Sequence, residues 1–209
     1  MALALGALLF APSAKAISFS FSDISSTTAA NNTADQIFVD VVDGVAGTVR
    51  FNFTFNAGDS GVITAIGFGG SNSGFLINTS TPTLFQSSGV SFENSTNLPN
   101  LGGGGFNQVF GVERTSAGGV SNGMSIGETL GVQYSLLSGK TLNDIITSIN
   151  GGTFKIGMHI QSLDNGGSQK AVLNGNPPGG PVVVSDSGST LALLGLGLAL
   201  IGFARRSNR

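Results

Sequence analysis

The sequence holds one histidine, His159, and no cysteine, so any imidazole chemistry must run through a single side chain. His159 lies in a stretch of alternating polarity. Phe154, Ile156, Met158 and Ile160 fall on one side of it, and Lys155, His159 and Gln161 on the other. The imidazole is therefore expected to point to solvent. A Ser-His-Asp triad draws its members from anywhere in a chain, but serine is so abundant that no single nucleophile is marked. Zinc needs several His or Cys ligands and is excluded. Calcium takes hard oxygen ligands, and two places offer them: Asp35, Asp40 and Asp43, and the turn Asp164-Asn165-Gly166-Gly167-Ser168. Both also read as solvated turn and edge residues that cap their own backbone. No residue is assigned a catalytic or a metal-ligating role, and no cofactor is expected beyond a weak case for calcium.

The elements that must position these groups are strands. Thr48 to Asn56 puts Val49, Phe51, Phe53 and Phe55 on one face and Arg50, Asn52, Thr54 and Asn56 on the other. Similar alternation marks 18–22, 37–42, 62–68, 75–78, 90–93, 109–113, 132–136, 154–161 and 170–173, separated by Gly, Asn, Asp or Ser clusters. The pattern predicts an all-β fold, an antiparallel β-sandwich of jelly-roll type with one phenylalanine-rich core. One short helix is expected, because Leu142, Ile145, Ile146 and Ile149 recur at helical spacing. Thr141 and Asp144 form a capping pair before it, and Asn150-Gly151 supplies a stop. Gly102 to Gly105 and Ser116 to Gly123 read as long hairpin loops, since no Lys-Ser/Thr follows to make a phosphate-binding turn.

Charge excludes one class of partner. Residues 17–188 hold all eleven acidic side chains but only five basic ones, Arg50, Arg114, Lys140, Lys155 and Lys170, a formal charge near −6. Nucleic acid needs clustered cations to displace its counterions. Charged residues make up 10% of the chain, against a usual share of about 25%. The polar surface must come from Ser, Thr, Asn and Gly.

The two ends differ from this body. Ala2 to Ala11 is apolar and leads to Pro12-Ser13-Ala14-Lys15-Ala16, whose Ala14 and Ala16 form the small-residue pattern of signal-peptidase cleavage. Residues 1–16 are read as a signal peptide, 17–174 as the β ectodomain and 175–183 as a Pro/Gly linker without regular structure. Residues 184–209 form a tail: Val184, Ser185, Asp186, Ser187 and Gly188, then an uncharged run over 189–204, then Arg205, Arg206 and Arg209. As a helix that run would be about 24 Å long, short for a hydrocarbon core of about 30 Å. Snorkelling arginines and local thinning of the bilayer absorb the difference. The run is expected to be a single transmembrane helix, and its arginines favour a cytoplasmic C-terminus.

This tail resembles the PEP-CTERM class of sorting signals, in particular the VPDSG-CTERM variant. There Val-Pro-Asp-Ser-Gly precedes an apolar span and an Arg-rich end, and Ser185 here stands where the variant has Pro. The segment Phe154 to Gly175 is similar to the last hairpin of many PEP-CTERM ectodomains. The resemblance implies export across the inner membrane, transient anchoring there, and processing near the motif by an exosortase, in bacteria that make exopolysaccharide. The expected protein is a non-enzymatic component of the cell surface or extracellular matrix, associated with exopolysaccharide. A lectin-like carbohydrate-binding module, calcium-dependent or not, is the alternative.

Overall fold

The computed structural model describes residues 16–173, apart from 26–32, 72, 80, 100, 102–105, 107 and 165. Ala14, most of the expected signal peptide, the linker and the whole sorting tail lie outside the described residues. Among the described residues no helix is long and apolar enough to cross a membrane.

The body is all-β and antiparallel. Its strands are β1 (Ala16–Asp23), β2 (Ile37–Asp43), β3 (Thr48–Phe55), β4 (Val62–Gly69), β5 (Thr83–Gln86), β6 (Phe92–Ser95), β7 (Gln108–Arg114), β8 (Thr129–Ser135), β9 (Lys155–Gln161) and β10 (Gln169–Leu173). They follow the order β5-β8-β3-β2-β1-β10-β9-β4-β7-β6 in one ten-stranded sheet. The expected all-β antiparallel body is present, as one continuous sheet rather than two unlinked ones. β1 joins them: its first part, Ala16 to Ser20, pairs with β2, and its last part, Phe21 to Asp23, pairs with β10. A strand that changes partner midway turns a sandwich corner into a continuous wall. The outer strands β5 and β6 then approach each other, so the sheet is nearly closed like a barrel.

Alternation fills the interior. Phe51, Phe53 and Phe55 of β3 are buried, as are Phe19 and Phe21 of β1. Phe68 is the hub, with ring centroids 5.0 Å from Phe51, 5.5 Å from Phe110 and 5.4 Å from Tyr134. The Tyr134 hydroxyl finds no hydrogen-bond partner in this core, and burial pushes its phenol well above the usual range. Among the described residues there are two α-helices where the periodicity of the body predicts one. The expected one, α2 (Leu142–Asn150), buries Leu142, Ile145, Ile146 and Ile149 and packs on β2. Its capping box forms as expected: the Thr141 N–H donates to Asp144 Oδ2 at 2.8 Å and the Asp144 N–H to Thr141 Oγ1 at 3.4 Å. The Thr141 hydroxyl, donating to Asp144 Oδ2 at 2.7 Å, and then the Thr141 N–H hold the Asp144 carboxyl below its ordinary value.

The other helix, α1 (Ser73–Leu76), replaces part of a strand expected over 75–78. Gly70, at φ +98°, turns the chain out of β4, and the Ser73 hydroxyl donates to the Gly70 carbonyl at 3.1 Å, closing a turn before any ladder can form. Only Ile77 keeps a bridge, to Leu136. The short edge strand β5 has no counterpart among the expected strands; β8 supplies its ladder, from Thr83↔Gln133 to Gln86↔Leu130.

Candidate functional site

A second, smaller apolar cluster lies outside the barrel and builds one wall of the site. On the outer face of β7, β4 and β9, three glycines stand side by side, Gly111↔Gly67↔Gly157. This strip has no side chains of its own. The segment between β6 and β7 folds over it, burying Leu98, Leu101 and Phe106. The fit is close: a Cβ on Gly67 would come 2.9 Å from Leu101 Cδ1, and one on Gly157 2.7 Å from Phe106 Cε1. Gln108 fastens this flap by accepting from the Leu101 N–H at 3.1 Å and donating to the carbonyls of Leu98 and Pro99 at 3.2 and 3.0 Å. The Gly-rich loop expected at 102–105 lies outside the described residues.

Two residues further along the same strands runs a row of functional groups. Register places Glu93 of β6 opposite Glu113 of β7, Glu113 opposite Ala65 of β4, Ala65 opposite His159 of β9, and His159 opposite Lys170 of β10. Ala65 is the small member, and the space above it is a groove of about 530 Å³ between the carboxylate pair and the imidazole. Asn97 and Pro99 of the flap, Arg114, Ser116 and Gln161 complete its lining. A β-bulge in β4 between Ile63 and Ala65 presents Thr64 to the same groove. Bulges of this kind re-aim side chains next to sites.

His159 lies on the outer face as expected, opposite the buried Ile156, Met158 and Ile160. It is half-buried rather than free in solvent. Thr64 Oγ1 lies 3.2 Å from its Nδ1 and donates to its carbonyl at 3.3 Å. Burial, followed by the charge of Lys170, holds the imidazole below its ordinary value, so it is neutral at pH 7. Glu113 accepts a hydrogen bond from the Ser95 hydroxyl at 2.7 Å. Among the described residues neither Glu93 nor Glu113 reaches Arg114 or Lys170 within ion-pair distance, and no carboxylate bonds the His159 ring. The groove can accept and donate hydrogen bonds and attract a cation.

The expectation that no serine is marked as a nucleophile is corrected at one place, since Ser121 stands in the spacing of a nucleophile elbow, Gly119-Val120-Ser121-Asn122-Gly123. That motif requires a sharp turn between strand and helix. Here Ser121 sits instead in a 3-10 segment, Ser116–Asn122, and its hydroxyl donates to the Gly118 carbonyl.

The carboxylates expected to weigh for calcium are dispersed. Asp35 is in a 3-10 turn, Thr33–Gln36, and Asp40 pairs with Asn52 and Ser18 on the outer face of β2, with Asp43 at that strand's end. Asp164 accepts from the Ser60 hydroxyl and, at 3.5 Å, from its N–H. Among the described residues no group of three or more His, Asp or Glu is arranged to hold a metal ion. Sequence reasoning singles out His159 but not Glu93 and Glu113. Both end expected strands on either side of the Gly-rich loop, which is the signal that could have paired them.

Residues 186–207 match the VPDSG-CTERM motif. The match is a sorting signal of PEP-CTERM type, and it implies an exported, membrane-transiting protein processed by exosortase-type machinery. It takes in Asp186, Ser187, Gly188, Arg205 and Arg206, and starts after Val184 and Ser185, so the Ser-for-Pro departure falls outside the matched stretch. No curated protein and no solved structure matches the chain.

Proposed function

We propose that this chain is an exported, exosortase-processed protein of the cell surface or extracellular matrix that associates with exopolysaccharide, performs no catalysis and needs no cofactor. The observation that carries the reading is the sorting signal at the C-terminus. In this reading Val184 to Gly188 form the recognition motif, residues 189–204 anchor the chain transiently in the inner membrane, and Arg205, Arg206 and Arg209 stop transfer. Signal-peptide cleavage after Ala16 would remove only the first ladder pair of β1, Ala16↔Val42, and keep the rest from Ile17↔Val41 onwards. A body with few charges and many hydroxyl and amide groups suits contact with a hydrated, polyhydroxylated polymer. The polar groove favours the lectin-like form of the reading, with the dispersed carboxylates giving calcium no clear seat.

Intact-mass analysis tests the sorting step. Protein isolated from an exosortase-containing host should have lost the segment after about Gly188, and protein from an exosortase deletion strain should keep it. Identical masses extending to Arg209 in both strains would reduce the tail to a plain anchor.

A further inference from the structure

The groove above Ala65 is a trough between the carboxylate pair and the imidazole. Its lining residue Gln161 also lines a second depression of about 640 Å³, with Val120, Ser162, Leu163, Gly166, Gly167 and Ser168. Next to Gln161, Ser162 adopts φ +53°, a left-handed conformation that a non-glycine residue rarely takes and that clusters at binding sites.

We propose that this trough binds a linear glycan carrying free amino groups. The inference rests on the polysaccharide reading above and names its site and ligand. Room is the first argument, since a second depression beside the shared Gln161 leaves space for a chain that continues past one sugar. Lining is the second. Thr64, Asn97, Ser116 and Gln161 offer hydroxyl and amide groups, and His159, neutral at pH 7, adds a hydrogen-bonding ring without charge. The third is the carboxylate pair. Like charges directly opposite each other on a sheet are destabilising, and here neither is neutralised within the described residues. A protonated amine seated between Glu93 and Glu113 relieves that repulsion and makes charge-assisted hydrogen bonds to both. Among the described residues no group of three or more His, Asp or Glu is arranged to hold a metal ion there. An acidic polymer would meet a body of formal charge near −6.

Calorimetric titration of the full chain in mild detergent tests the proposal, using a glucosamine oligosaccharide, its fully N-acetylated counterpart, a neutral glucan oligomer and an oligogalacturonate. The glucosamine oligomer should bind at least about tenfold more tightly than the N-acetylated one, a preference that shrinks as salt rises. The double variant E93Q/E113Q should lose that preference, and so in part should E93Q alone, at a position whose carboxylate has no bond to break among the described residues. Thermal unfolding followed in parallel shows whether each variant is folded; the amide that E113Q introduces can still accept from the Ser95 hydroxyl. The variant D40N/D43N, which removes the same charge from the opposite part of the sheet, should bind like the parent. Equal binding of amino and N-acetylated oligomers, or a preference that survives E93Q/E113Q, overturns the inference and leaves the polysaccharide reading standing. Binding of none of the four glycans overturns both.

Discussion

Gln86, the last residue of β5, spans the gap to β6 and bonds both backbone groups of Phe92, accepting from its N–H and donating to its carbonyl at 3.4 Å. One side-chain amide thus does for the barrel seam what a strand ladder does elsewhere. Around it the Ser87 hydroxyl accepts from the Thr129 N–H at 3.1 Å, tying the same corner to β8. Gln86→Leu should leave the Phe92 amide without a partner and cost about 1 kcal/mol. Faster hydrogen exchange at Phe92, with the rest of β6 and β7 little changed, is the expected signature. Unaltered exchange there would show that the seam closes without Gln86.

Tyr134 offers the opposite case. Its ring meets Phe68 and Phe110 edge-on, at interplanar angles of 79° and 78°, while its hydroxyl is buried and unbonded. Tyr134→Phe keeps the ring contacts and removes the unsatisfied group. The substitution should raise stability by about 1 kcal/mol, which for a domain of this size is about 2–4 °C in Tm. A fall in Tm would reveal a partner for the hydroxyl, such as a buried water.

The flap over the glycine strip should be sensitive to a single methyl group. Gly157→Ala drives a Cβ against the Phe106 ring and should cost about 1–3 kcal/mol through overpacking. Proteolysis within 96–107 should speed up as the flap lifts. Phe106→Leu in the same chain should recover part of the loss, because the collision is with the ring rather than with backbone.

His159 gives stability a pH dependence with a definite sign. Its folded-state value lies below the ordinary 6.5, so the unfolded chain takes up the proton more readily. The native state is unaffected above about pH 6.5 and loses stability as the pH falls from there toward the lower folded value, after which the loss is complete. The difference in unfolding free energy between the parent and a His159→Gln variant, followed from pH 7.5 downward, should change across that window. A flat difference would mean that burial does not disfavour the imidazolium.

What the sequence shows clearly is whatever one face of one element dictates. The four apolar residues on one face of β3 and the capping pair before α2 both act locally, and both are readable. β5 is not, because Thr83 to Gln86 is too short to display a period and is held by β8 from far along the chain. α1 reads as a strand for a related reason: an apolar run as short as Phe75 to Ile77 has no period of its own, and the turn at Gly70 decides the matter. The candidate site is half visible. His159 can be placed on its face, but the opposition of Glu93 and Glu113 depends on the register of two strands across a long loop. The glycines at 67, 111 and 157 look like three unrelated weak points until pairing sets them in line.

The change of partner within β1 also governs timing. Its first part can pair with β2 as soon as the next hairpin exists, but Phe21, Ser22 and Asp23 must wait for Leu173, Val172 and Ala171, the closing residues of the described body. A contact joining the two ends of a domain forms late and slowly, since the loop it closes is almost the whole described body. Until β10 arrives the wall stays open between β1 and β9.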